Sequence, residues 1–91
     1  MKKCYQIKIF GRVQNVGFRQ LAVEKAGELN VTGFIRNEPD GVVSLEAEGE
    51  EKSLQDFLSW CRRGPLFAQV DRLDFSEISG RDFTDFKIDY V

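Results

Sequence analysis

The chain of 91 residues is long enough for one domain with one core, and it carries a net charge of −2 with 42% hydrophobic and 31% charged residues. This composition is typical of an ordered globular protein, and no apolar run approaches the roughly 20 residues that a membrane helix requires. The chain has no His and only two Cys, which excludes Ser-His-Asp and Cys-His catalysis and disfavours a zinc site.

From these features we expect a single domain over residues 1–91 with no cofactor and no metal. The two cysteines, Cys4 and Cys61, are too far apart in sequence for a CxxC motif and are expected to be free thiols. Lys2 and Lys3 resemble the start of a signal peptide, but an alternating segment follows where the apolar stretch should be. We therefore expect a cytoplasmic protein with no membrane partner.

The charge is unevenly distributed along the chain. Residues 1–37 contain seven basic and two acidic side chains, for a net +5, whereas residues 38–91 have a net charge of −7. This pattern favours a local anion site in the first half over a general nucleic-acid surface.

The first half of the chain predicts a strand, a helix and a hairpin. Alternation predicts a strand at residues 5–9, and apolar residues at helical spacing predict a helix over residues 18–30 that ends at Asn30. Strands at residues 31–37 and 43–48 flank a turn at residues 38–41, and Gly49 is expected to break the second of them. The apolar stripe of this first helix comprises Phe18, Leu21, Ala22, Ala26 and Leu29.

The second half predicts one more helix and the rest of the sheet. The helix has an apolar stripe of Leu54, Phe57, Leu58 and Cys61, and Gly64-Pro65 ends it. A strand follows at residues 68–78, where the apolar parity shifts in a way that predicts a bulge or bend. The last strand is predicted at residues 86–90. The order βαββαβ, in which the final strand region can be split in two, predicts a ferredoxin-like α+β sandwich, an antiparallel sheet with two helices packed on one face.

The loop between the first strand and the first helix is the best candidate for a functional site. A loop that enters a helix gathers unpaired amide N–H groups at the positive end of the helix dipole, which favours anions. Glycines at positions 11 and 17 allow close approach to a phosphate, and the Arg19 guanidinium could grip two of its oxygens. Many such loops bind nothing, so this pattern alone is moderate evidence.

Two segments resemble the signatures of the acylphosphatase family. Residues 9–19, IFGRVQNVGFR, resemble the first signature, and residues 33–43, GFIRNEPDGVV with Gly49 beyond them, resemble the second. Residues 83–88 are similar to the C-terminal strand of the family. The resemblance spans nearly the whole chain, and two motifs at the right separation make it specific.

The resemblance implies hydrolysis of acyl phosphates to a carboxylate and inorganic phosphate. It implies that Arg19 binds the phosphate and that Asn37 orients the attacking water. The implied phosphate-binding residues are Val13, Gln14, Asn15, Val16, Gly17 and Phe18, through their backbone amides, and Arg19. We further expect a monomer with no nucleic-acid partner, inhibited competitively by phosphate.

Two departures and two alternatives accompany this interpretation. Asn15 stands where the family usually has Gly, and if its φ is positive, Asn is the next most tolerant choice after Gly. Ile35 is larger than the usual residue. The main alternative is an RNA-binding module of the same element order, against which the acidic residues Glu46 and Glu48 argue. A domain that serves a larger enzyme is the second, but because the chain ends at Val91 we expect a free-standing enzyme.

Overall fold

The structure, a computed structural model, describes residues 1–90. Alternating and helical apolar periods produce seven elements in this part of the chain. They are β1 (Lys2–Arg12), α1 (Phe18–Leu29), β2 (Thr32–Asn37), β3 (Val43–Glu50), α2 (Glu51–Arg63), β4 (Gln69–Ile78) and β5 (Phe86–Ile88). The predicted element order and the ferredoxin-like α+β class are confirmed.

The sheet has the strand order β4-β1-β3-β2-β5. The pairs among β1, β2, β3 and β4 are antiparallel, as predicted. The short β5 instead lies parallel to β2, so the whole sheet is mixed. Because β4 and β5 occupy opposite edges, the chain between them crosses the sheet and enters β5 in the direction of β2.

The crossing segment is held by a buried carboxylate on the sheet face opposite the helices. Glu48 of β3 is 2% exposed and accepts hydrogen bonds from the backbone N–H groups of Arg81 and Phe83, both at 3.0 Å. The ring of Phe83 packs edge-on against Phe34, with centroids 6.0 Å apart. The acidic third strand therefore carries a structural contact that the sequence pattern does not indicate.

The core lies between the helices and the other face of the sheet. It includes Tyr5, Ile7 and Ile9 of β1, which are at most 4% exposed. The predicted stripe of α2 is buried in full. In α1 the buried residues are Phe18, Ala22 and Ala26, whereas Leu21 is 41% exposed and is a correction to the predicted stripe. The i, i+4 row of α1 faces the sheet and leaves Leu21 on its flank.

Of three predicted interruptions of regular secondary structure, two are confirmed and one is wrong. Asn30 ends α1 with φ 58°, and its N–H donates to the carbonyl oxygens of the last helical turn. The predicted bulge is present, because Phe10 pairs with Arg72 but Gly11 pairs with Val70. Gly49, however, does not break β3: it pairs with Lys3 inside the strand. A Cβ at Gly49 would lie 3.3 Å from the carbonyl oxygen of Asn30, so close packing accounts for this glycine.

Cys4 and Cys61 are buried and free, as predicted. Burial, reinforced by the nearby carboxylates of Glu48 and Glu46, raises the pKa of the Cys4 thiol to about 11. Burial also raises the pKa of Cys61. Both thiols are therefore protonated at neutral pH.

Candidate active site

The site begins where β1 ends and the chain must leave the sheet. Gly11 has φ 130°, and a Cβ at this position would lie 2.2 Å from the carbonyl oxygen of Gln69 on β4. Only glycine fits so close to a neighbouring backbone. Together with the bulge at Asp71, this close approach sets the direction in which the following loop, residues 13–17, leaves β1.

Two left-handed residues shape this loop. Asn15 has φ 60° and Gly17, the N-cap of α1, has φ 80°. Left-handed residues of this kind occur in anion-binding nests, in which successive N–H groups turn toward a common centre. The first backbone bond of α1 runs from Leu21 N–H to Gly17, so the N–H groups of Phe18, Arg19 and Gln20 have no partner within the helix. Asn is tolerated at position 15 because, after Gly, it adopts a positive φ most readily.

Arg19 extends from the first turn of α1 into the same region. Its guanidinium carbon lies 5.4 Å from the ring centroid of Tyr90, a cation–π contact. Within residues 1–90, no carboxylate lies within 4.0 Å of Arg19 to form an ion pair. The arrangement places the guanidinium beside an aromatic ring and leaves its N–H donors available to an anion.

Asn37, the last residue of β2, reaches the loop from the sheet. Its Oδ1 atom is buried and accepts no hydrogen bond in the part of the chain that the structure describes. An amide oxygen is an acceptor with two lone pairs, and leaving it unpaired on burial costs about 1–3 kcal/mol. Such an acceptor can bind a donor that enters the site, and water is the smallest one.

The side chain of Gln14 ties the loop to the turn after Asn37. Its Nε2 donates to the carbonyl oxygens of Glu38 at 2.8 Å and Val42 at 3.2 Å. The two contacts span sequence separations of 24 and 28 positions, respectively. The sequence predicted Gln14 as a phosphate-binding residue. That prediction concerns its backbone amide, whereas its side chain joins the loop to the turn after β2, a contact that the sequence did not predict.

Arg19 and Asn37 line one pocket of about 150 Å³. The lining residues are Val13, Asn15, Gly17, Phe18, Arg19, Gln20, Asn37, Ile88 and Tyr90. Five of the seven predicted phosphate-binding residues are among them, while Val16 packs against the core and Gln14 forms the bonds described above. Arg19 carries the one full charge in this lining, so the pocket favours an anion.

Sequence reasoning missed Gln20, Ile88 and Tyr90 as pocket residues. Ile88 and Tyr90 were assigned to the last strand, which in the structure ends at Ile88. Tyr90 therefore lies beyond β5, 76% exposed, beside Arg19. The sequence offered no signal for this position, because it depends on which edge of the sheet β5 occupies.

The other polar residues near the site are engaged outside the pocket. Arg36 pairs with Glu38 at 3.1 Å and with Asp89 at 3.3 Å. Asp40 accepts a hydrogen bond from the backbone of Val42, which confirms its role in the turn.

Residues 1–90 contain neither a cluster of metal-ligand side chains nor a membrane-spanning helix. Among residues 1–90, no three His, Cys, Asp or Glu side chains are grouped as metal ligands would be. Neither helix in this range has the length and hydrophobicity of a membrane span.

Comparison with known proteins places this chain in a family. Residues 5–88 match the family model described as Acylphosphatase. The chain is 46% identical over 89 residues to an acylphosphatase of Methylococcus capsulatus, covering 97% of this chain and 96% of that protein. The solved acylphosphatase of Bacillus subtilis superposes with a TM-score of 0.94 at 35% identity, covering 99% of this chain and all of the other. That of Coxiella burnetii gives 0.93 at 35% identity, with 97% and 93% covered. With the family model and nearly full-length relatives in agreement, this chain belongs to the acylphosphatase family.

Proposed function

We propose that the chain hydrolyses acyl phosphates to a carboxylate and inorganic phosphate in the pocket between α1 and β2. The observation that carries this proposal is that one pocket is lined both by the cationic Arg19 and by Asn37, whose Oδ1 has no hydrogen-bond partner among the described residues. The first group suits a phosphate and the second suits a water molecule. Family membership supports the same reaction.

Arg19 and the loop amides hold the phosphoryl group in this proposal. The guanidinium can form two parallel hydrogen bonds to phosphate oxygens, and the unpaired amides from Asn15 to Gln20 can bind the rest. Phosphoryl transfer proceeds through a loose transition state with charge spread over the equatorial oxygens, so positioned donors supply most of the catalysis.

Asn37 positions the nucleophile. Its Oδ1 accepts a hydrogen bond from water, whose oxygen attacks phosphorus while the bond from phosphorus to the acyl oxygen breaks. The acyl group leaves as a carboxylate with the bonding electron pair, and the proton of the water passes to a phosphate oxygen. A carboxylic acid has a reference pKa of about 4, so this leaving group departs without a general acid.

The test is hydrolysis of benzoyl phosphate by Arg19→Ala and Asn37→Ala. Loss of one well-placed donor typically lowers the rate about 10²–10³-fold. We expect Arg19→Ala to lower kcat/KM and weaken competitive inhibition by inorganic phosphate, because both need the guanidinium. Asn37→Ala should lower kcat by a similar factor and leave inhibition by phosphate nearly unchanged.

Two further variants control for charge and shape. Arg19→Lys keeps the charge but loses the planar fork, so it should recover only part of the lost activity. Arg12→Ala removes an exposed arginine outside the pocket and should retain wild-type kinetics. Near wild-type turnover by both Arg19→Ala and Asn37→Ala, with folding verified by circular dichroism, would contradict the proposal.

The remaining expectations belong to the same proposal. Small acyl phosphates are its substrates, and we propose a one-domain monomer over residues 1–91 that acts in the cytoplasm without a nucleic-acid partner. The buried free thiols support this compartment, since reduced cysteines are typical of the cytosol. Sedimentation at micromolar concentration tests the monomer, and salt-dependent binding of RNA would contradict the assignment of partners.

A further inference from the structure

A second, larger depression adjoins the candidate site between α1 and β5. We name it the α1–β5 groove, and its volume is about 650 Å³. It is lined by Gln20, Val23, Glu24, Phe86, Lys87, Ile88 and Tyr90. Three of these residues, Gln20, Ile88 and Tyr90, also line the pocket that contains Arg19 and Asn37. The two depressions therefore share a wall and meet at these side chains.

The two depressions differ in volume, and therefore in the part of a substrate that each can hold. Small-molecule sites usually measure about 300–1,000 Å³. The pocket with Arg19, at about 150 Å³, is below this range, so it has room for a phosphoryl group and water but not for a large organic substituent. The α1–β5 groove, at about 650 Å³, lies within the range.

Side chains of α1 and β5 form a continuous surface from one depression to the other. Val23 lies four residues after Arg19, one helical turn further along the same face of α1. Phe86 and Ile88 are two residues apart on β5, so their side chains share one face. All three are partly buried and pack on the hydrophobic core, which makes this part of the groove apolar and fixed.

The charged residues of the groove do not favour an ionic group. Glu24 and Lys87, both exposed, contribute one charge of each sign. The groove thus has no net charge with which to select an anionic or cationic substituent, whereas the apolar side chains of Val23, Phe86 and Ile88 provide a surface for hydrocarbon.

We propose that the α1–β5 groove binds the acyl part of the substrate and selects acyl phosphates with an uncharged, apolar acyl group longer than acetyl. This inference rests on the proposed function, because it takes the phosphoryl group to lie beside Arg19. The carboxyl carbon then lies near the shared wall, and the hydrocarbon chain continues along Val23 and Ile88.

A series of straight-chain acyl phosphates, from acetyl through butanoyl to hexanoyl, tests this assignment in the wild-type protein. Their carboxylates differ little as leaving groups, so differences in kcat/KM report contacts of the chain. Each methylene buried in the groove should raise kcat/KM about two- to fourfold until the groove is filled. A series in which kcat/KM stays constant or falls with chain length would overturn the inference. This is the result expected if the groove binds a second copy of the chain instead of the acyl group.

A matched pair of variants on α1 locates the effect. Val23→Ser should lower the ratio of kcat/KM for hexanoyl over acetyl phosphate about three- to tenfold, because a hydroxyl replaces the apolar wall. Leu21→Ser changes an exposed residue of the same helix outside both depressions and should leave the ratio at its wild-type value. An equal ratio in both variants would overturn the assignment. If Val23→Ser does not fold, the wild-type series still decides.

The two proposals fail in different ways. If the wild-type protein hydrolyses no acyl phosphate of the series, the proposed function is wrong and the inference falls with it. If it hydrolyses all of them with equal kcat/KM, the proposed function stands and the acyl assignment of the groove alone is wrong.

Discussion

The side chain of Gln14 gives the sharpest test of how this site is assembled. Gln14→Met keeps the length of the side chain and removes both of its hydrogen bonds to the turn after β2. Each such bond contributes about 0.5–1.5 kcal/mol net. The acceptor carbonyls keep other partners, because the N–H of Gly41 donates to Glu38 and the N–H of Glu38 donates to Val42. The loss should therefore be in the lower half of the summed range, about 1–2 kcal/mol.

This loss should appear in both stability and activity. For a domain of this size, 1 kcal/mol lowers Tm by about 4–8 °C, so thermal unfolding followed by circular dichroism resolves the change. The kcat for benzoyl phosphate should fall as well, because the loop that carries the amides is no longer held against the strand that carries Asn37. Inhibition by inorganic phosphate should change less, since Arg19 and the loop stay together on one segment.

The control is Gln55→Met, which changes an exposed glutamine of α2 far from the loop in the sequence. It should leave Tm and kcat at their wild-type values. If Gln14→Met is as stable and as active as Gln55→Met, the two hydrogen bonds do not position the loop, and the reasoning is refuted.

Three further predictions concern the backbone and the thiols. Gly11→Ala should destabilise the protein by about 1–3 kcal/mol from backbone strain alone. Gly27→Ala, in an open helical position, should stabilise it by about 0.4–1 kcal/mol. Urea unfolding measures both free energies, and equal effects would contradict the close approach of Gly11 to β4. Asn15→Gly should keep the free energy of unfolding within about 1 kcal/mol of the wild-type value. Asn15→Val should lower it by about 1–2 kcal/mol or more, because φ at position 15 is positive. A valine that is tolerated there would argue against the left-handed conformation of the loop. Cys4 and Cys61 should resist iodoacetamide in the native protein at pH 8 and react in urea, as followed by mass spectrometry. Because the raised pKa keeps both thiols protonated there, alkylation should accelerate as the pH rises toward the pKa of Cys4, about 11. Rapid native labelling at pH 8 would show that the thiols are accessible.

The sequence alone determined those parts of the molecule that depend on near neighbours. Alternation placed Tyr5, Ile7 and Ile9 on one face of β1, and a helical period placed the buried stripe of α2. Asn30 and the bulge before Leu73 were also readable, because a left-handed cap and a shift of parity are local features. The family motifs singled out Arg19 and Asn37, which the structure brings to one pocket; their roles stay predictions.

Only the tertiary structure decided contacts that join distant parts of the chain. The periodicity of β5 was visible in the sequence, but its parallel pairing with β2 follows from a crossing of the sheet that Glu48 holds on one face. The same crossing brings Tyr90 beside Arg19. Gly49 looked like a strand break, since the sequence does not show the backbone of Asn30 that lies against it.

The loop from β1 to α1 combines both kinds of information. Its composition predicts an anion site, because glycine and asparagine permit the left-handed turns that gather amides at a helix start. Its distance from Asn37 depends on Gln14 and on the pairing of β2 with β3, which local sequence does not specify. Composition and local conformation thus determine what the loop can bind, whereas packing decides what lies opposite it, because burial and strand pairing act between residues far apart in the chain.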